Sequence, residues 1–170
     1  MHGRLQGRPG RWEMTSPEPT TGPARPTDAA DAALFDAVAT EHGIIYGYGL
    51  VSAHSSPEEN SLVAAAMAEH RARREAAIEM LEGRSVTPPL PAAGYRLPSE
   101  VSDPVDAANL AVRMEQDAAV AWRAVLEQAT TSEDRTFAVT ALTESAVTAA
   151  KWSKFLDVWP VTVPFPGGAE

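Results

Sequence analysis

Apolar residues recur every three to four positions along four stretches of the chain, the period of an amphipathic helix. In the first stretch Ala30, Leu34, Val38, Ile45 and Tyr48 form a stripe from Asp28 to about Ala53, with Thr27 as the expected N-cap. Gly43, Gly47 and Gly49 each cost this helix about 1 kcal/mol relative to alanine, so their expected use is close helix contact, with a bend near Tyr48 as the other reading. Ser55-Ser56-Pro57-Glu58-Glu59 combines serine caps, a first-turn proline and acids facing the helix dipole, and opens a second helix that runs to about Glu82 before Gly83. Asp103-Pro104 repeats the cap-plus-proline signal for a third helix ending near Ala129. Thr131 to Asp134 caps a fourth, running from Glu133 to about Val158 ahead of Pro160.

The connections between these helices set the expected topology. The first and last are a few residues long, which makes each flanking pair an antiparallel hairpin. The middle one, Gly83 to Asp103, contains Pro88, Pro89, Pro91 and Pro98 and cannot be helical throughout. Extended at roughly 3.3 Å per residue it can cross the whole bundle. The expectation is an all-α, up-down-down-up four-helix bundle with one long crossover between helices two and three. The Pro-rich run from Trp159 to Pro166 is expected to lie over a bundle groove.

Each stripe is interrupted by one glutamate: Glu41, Glu69, Glu115 and Glu144. Their helical neighbours include Leu34, Val38, Ile45 and Tyr48 around Glu41, and Leu62, Ala66, Ala76 and Met80 around Glu69. Ala108, Ala111, Ala118 and Trp122 surround Glu115, and Phe137, Ala141, Thr148 and Phe155 surround Glu144. All four lie eleven to thirteen residues into their helices, so helices of equal length put them in one layer whichever way each runs. Unpaired carboxylates in an apolar core cost several kcal/mol each, so a cation must hold them. Hard oxygen ligands suit iron or manganese. The helical residues that could instead neutralise the layer are Arg73, four positions after Glu69, and Lys151, seven after Glu144, which would lower its charge from −4 to about −2.

Two histidines, His42 and His70, directly follow core glutamates. A one-residue step turns each about 100° from the layer, so both are expected on helix flanks, bonded to a neighbouring helix, with His70 counted beside Arg73, Lys151 and Tyr48 in the charge network or second shell of the layer. Tyr48 is expected to be a core tyrosine with a satisfied hydroxyl, or a donor to one of the carboxylates. Arg71 and Arg74 should point outward, where Glu75 can pair with them, and Trp122, Trp152 and Trp159 read as packing mass.

Composition narrows the function classes. The 170 residues are 44% hydrophobic and 22% charged, enough for one domain with a sizeable core. Without cysteines, carboxylates and the four histidines are the only candidate metal ligands. The net charge is −9. Arg4, Arg8, Arg11 and Arg25 against Glu13 and Glu18 give the first 27 residues +2, leaving −11 for the rest. That charge argues against nucleic acid as a partner. No run approaches the roughly 18 apolar residues of a membrane span and no signal peptide is evident, so a cytoplasmic protein is expected. Residues 1–27 read as a disordered tail, within which Met14 is an alternative start, and residues 28–168 as the domain.

Four segments together carry a family likeness: Glu41-His-Gly-Ile-Ile-Tyr-Gly-Tyr-Gly49, His70-Arg-Ala-Arg-Arg74, Ala93-Gly-Tyr-Arg-Leu-Pro98 and Val163-Pro-Phe-Pro-Gly167. They resemble an actinobacterial ferritin-like domain family of unknown function, over about Asp28 to Gly168. The resemblance implies a ferritin-like bundle and a homodimer. It also implies that metal-bridging or terminal carboxylate roles fall on Glu41, Glu69, Glu115 and Glu144. In the ferritin-like pattern two helices carry Glu-x-x-His; here Ala72 and Val147 stand three residues after Glu69 and Glu144, so no position inherits a histidine role. The expected function is therefore a non-catalytic structural or interaction module with a degenerate metal site. The alternative is an iron- or manganese-binding protein with oxidase or peroxide-handling activity.

Overall fold

The computed structural model describes residues 22–168, and among these the only regular elements are helices. They are α1 (Ala29–His54), α2 (Asn60–Gly83), α3 (Pro104–Gln128) and α4 (Ser132–Phe155), with a single 3-10 turn at Pro57–Glu59 leading into α2. Most of the expected tail, residues 1–21, lies outside the described residues. Within the remainder Arg25 grips Asp36 of α1 through a guanidinium–carboxylate pair at 2.6 Å.

Local chemistry accounts for the helix ends. Asp28, not Thr27, caps α1, because its carboxylate accepts from the Ala30 and Asp31 amides at 3.0 and 3.1 Å. The Glu59 carboxylate accepts from the Ser56 amide at 2.6 Å and closes the turn before α2. Asp103 accepts from the Asp106 amide ahead of Pro104, and Thr131 from the Asp134 amide. α4 stops at Phe155, short of the expected Val158, since the chain turns through a positive φ of 55° at Asp157.

α1 is the central element: it packs on both α2 and α3, and α3 packs on α4. α1 continues unbroken through its three glycines, which have different uses. A Cβ on Gly47 would run into the Met114 sulfur of α3, so this glycine sets the α1–α3 approach. Gly43 faces the Tyr95 ring of the middle connection, whereas Gly49 faces open space. That connection is held against α1 along its course: the Pro89 carbonyl meets His42, and Tyr95 packs on Tyr46 with ring centroids 5.3 Å apart. Val86, Leu97 and Val101 add apolar contacts to the core.

One side chain ties three helix ends together in a way the sequence pattern did not indicate. Arg84, just past α2, bonds Asp31 at the start of α1 and Asp134 at the start of α4. The C-terminal segment returns to α3, where Gly167 at φ 75° sits so close to the Ala119 carbonyl that a Cβ would lie 2.5 Å from it.

The two α1 glycines that differ in surroundings should respond oppositely to the same change. Gly49→Ala should raise stability by about 0.5–1 kcal/mol through helix propensity. Gly47→Ala should lower it by about 1–3 kcal/mol through overpacking against Met114. Urea unfolding followed by circular dichroism checks both, and equal shifts would refute the close α1–α3 contact.

Candidate functional site

At the middle of the bundle each helix contributes a buried polar residue: Glu41 from α1, His70 from α2, Glu115 from α3 and Ser145 from α4, all no more than 1% exposed. The faces that deliver them follow a three-and-four spacing. On α2 the buried residues are Val63, Ala66, His70, Arg73, Ala77 and Leu81. On α4 they are Asp134, Ala138, Ala141, Ser145, Thr148 and Trp152. Both stripes keep part of the expected set, Ala66 and Arg73 on α2 and Ala141 and Thr148 on α4, but are otherwise displaced by one position, which corrects two expectations. Glu69 is exposed, and Glu144 is half-exposed at the edge of the layer. His70, expected on a flank in the second shell or charge network, takes the central position instead.

His70 lies between two carboxylates. Its Nδ1 is 2.6 Å from Glu41 Oε2 and its Nε2 is 3.0 Å from Glu115 Oε1. With an acceptor at each ring nitrogen, the geometry calls for both to be protonated, which makes the ring an imidazolium cation. Burial pulls the His70 pKa down, but its hydrogen bonds to Glu115 and Glu41 and their charges outweigh burial and raise it to about 9.

Further donors surround the two acids. Glu41 Oε1 accepts from the Trp122 indole at 2.7 Å and, more weakly, from Arg73 at 3.4 Å. Arg73 also donates to Ser145 and to Glu144, each at 2.9 Å. Tyr48 donates its hydroxyl to Glu115 Oε1 at 2.5 Å and accepts from the Trp152 indole at 3.1 Å. Burial and the neighbouring Glu115 push the phenol pKa upward, so it remains a donor. Glu115 Oε2 is buried without a hydrogen-bond partner among the described residues. Trp122 and Trp152, expected as packing mass, thus also hold the network through their indole N–H groups.

The structure brings Glu41, Glu115, Tyr48, His70 and Arg73 together, with Glu144 joined through Arg73. Lys151, expected to face the layer, is exposed instead, because the turned α4 stripe buries Thr148 and Trp152 on either side of it. Glu69 reaches only the rim. His42 is buried on the outer side of α1, with its Nε2 3.1 Å from the Pro89 carbonyl, and burial lowers its pKa. The signal for the true α2 face was the heptad-like run Val63, Ala66, His70, Arg73, Ala77, Leu81, which is legible only if polar residues are admitted to the core stripe.

The iron or manganese implied by the ferritin-like resemblance can be tested against this donor set. Arg73 and Trp122 occupy one oxygen of Glu41, His70 occupies the other, and the doubly protonated His70 offers no lone pair. Among the described residues no group of three or more His, Asp or Glu side chains is disposed to hold a metal ion. With His70 and Arg73 in these contacts, Glu115 Oε2 is the one free oxygen of the two central carboxylates, and a single free oxygen there does not fit a resident metal.

The fold and this centre define a class: an all-helical protein whose polar core is organised by two cationic side chains. The chain belongs to the family described as a domain of unknown function, DUF4439, whose model matches residues 33–170. It is similar to a conserved hypothetical protein, rv2844, from Mycobacterium tuberculosis. That crystal structure shares 58% identity, covering 76% of this chain and 98% of its own, with a TM-score of 0.75. No curated protein matches the chain. No helix among the described residues is long and apolar enough to cross a membrane.

Two measurements probe the network. Because the folded His70 pKa lies above the ordinary 6.5, its stabilisation is complete below about pH 6.5 and is lost as pH rises through about 9. Urea unfolding should therefore show wild type losing about 3 kcal/mol over that window, while His70→Gln, weaker at pH 6.5, loses far less. Arg73→Ala should cost roughly 3–5 kcal/mol by stripping a partner from buried acids. Lys151→Ala should change stability by less than about 0.5 kcal/mol. An Arg73→Ala cost under about 1 kcal/mol would sink the ion-network account.

Proposed function

We propose that the protein is a ferritin-like four-helix bundle over residues 28–168 that works as a non-catalytic structural and interaction module, its carboxylate layer neutralised from within. The up-down-down-up topology is supported by Arg84, which joins the end of α2 to the starts of α1 and α4 and so sets α2 against both. The short link from α3 to α4 makes that pair antiparallel as well.

The observation that carries the non-catalytic reading is His70 bonded through both ring nitrogens to Glu41 and Glu115. In a metal-bearing bundle those carboxylates would point their lone pairs at an ion. Here the imidazolium and the Arg73 guanidinium supply the positive charge, and both cations are themselves buried, so neither group is free for substrate. The alternative, an iron or manganese protein handling oxygen or peroxide, requires the two acids to release His70 and Arg73 first. For interaction, the natural element is the C-terminal segment, where Trp159, Val163 and Phe165 are 57–70% exposed within seven residues. A second copy of the chain is the partner we assign to it.

Elemental analysis tests this reading on untagged protein purified without chelator from iron- and manganese-supplemented cells. Metal should be far below one ion per chain and unchanged in Glu41→Gln and Glu115→Gln. Near-stoichiometric metal that disappears in both variants would overturn it. Sedimentation of the same preparation should give a dimer that Trp159→Ser with Phe165→Ser converts to monomer; a wild-type monomer would remove the dimer from the proposal.

A further inference from the structure

The bundle does not close evenly. α1 packs on α2 and α3, and α3 on α4, but α2 and α4 face each other across a groove of about 350 Å³. From α2 it is lined by Glu69, Ala72, Arg73 and Ala76, and from α4 by Phe137, Thr140, Ala141 and Glu144. Its walls are mostly apolar. The Phe137 ring is held edge-on against Trp122, with centroids 5.3 Å apart, so the aromatic wall is braced by the core. Arg73 sits in the wall 95% buried, committed to Glu144, Ser145 and Glu41.

The charge of this slot is unbalanced. Its lining carries two carboxylates, of Glu69 and Glu144, against the one guanidinium of Arg73, which leaves a formal −1. Glu69 makes no ion pair among the described residues, and Glu144 spends one oxygen on Arg73. An apolar slot with a negative rim complements one kind of small molecule, a cation with an apolar body. An ammonium group seated between Glu69 and Glu144 satisfies the free carboxylate oxygens, while its hydrocarbon body covers Phe137 and the methyls of Ala72, Ala76 and Ala141.

We propose that the α2–α4 groove is a binding site for a small organic ammonium ion, an alkyl- or arylalkylamine. This goes beyond the structural role, since a ligand here touches the outer edge of the ion network without needing a metal or a second chain. It does not depend on the dimer.

The probes are phenethylamine and, as the reversed-charge control, 3-phenylpropionate, titrated into the full chain near pH 7 and followed by NMR chemical-shift changes. The amine should bind saturably, shifting signals of Phe137, Thr140 and the Trp122 indole. Glu69→Gln should weaken binding about tenfold, the worth of a charged hydrogen bond, and Ala72→Leu, an exposed change that fills the groove, should abolish it. Both residues are exposed, so both variants keep the fold. No saturation at millimolar amine, equal binding of the carboxylate, or indifference to both variants would each overturn the site. A metal-loaded protein that still binds the amine in the groove would overturn the proposed function, and a monomeric one would remove its dimer, while either leaves this inference intact.

Discussion

A positively charged imidazole held between two buried carboxylates is the interaction on which the middle of this bundle depends. Glu41 and Glu115 sit on neighbouring helices at essentially zero exposure, where two unneutralised charges would carry a desolvation penalty of several kcal/mol each. His70 answers both at once because an imidazolium has two donors pointing in opposite directions. One ring from α2 therefore fixes the spacing of α1 and α3 at the layer. Arg73, one turn further along α2, extends the same connection to α4 through Ser145 and Glu144.

The aromatic residues serve this centre as well as the apolar core. Trp122 and Trp152 are fully buried, and each has an indole N–H that must find an acceptor. They find it within the network, on Glu41 and on Tyr48. Packing and polar satisfaction thus use the same side chains, which couples the position of the helices to the state of the acids. Buried polar networks of this sort specify one arrangement of helices, because a shift that breaks one bond leaves charges unpaired. They contribute less to net stability than their number suggests.

Away from the centre the chain relies on simpler devices. The long connection is pinned by one histidine–carbonyl bond and one tyrosine on a glycine, and Arg84 gathers three helix ends. The least closed part of the molecule is the α2–α4 face. It is also where the network comes nearest to solvent, through Glu144.

Local rules made the helices legible in the sequence. Caps at Asp103 and Thr131, the proline at position 104, the stop at Gly83 and the proline-rich middle connection depend on neighbours within a few residues, and the boundaries read from them agree with the structure to within about three residues. Glu41, Tyr48, Glu115 and Arg73 were recognisable as core positions for the same reason, their apolar neighbours recurring at the helical period. What the sequence left open was the rotation of α2 and α4. Both helices are rich in alanine, so stripes one residue apart have nearly equal apolar content. A rotation of less than one residue step, which kept Ala66, Arg73, Ala141 and Thr148 buried, exchanged Glu69 for His70 and Glu144 for Ser145, and turned Lys151 to solvent. Only tertiary packing could decide that choice, because the balance depends on what faces each helix. An imidazole between the carboxylates of α1 and α3 satisfies both, whereas a third glutamate there would have added a charge with no partner.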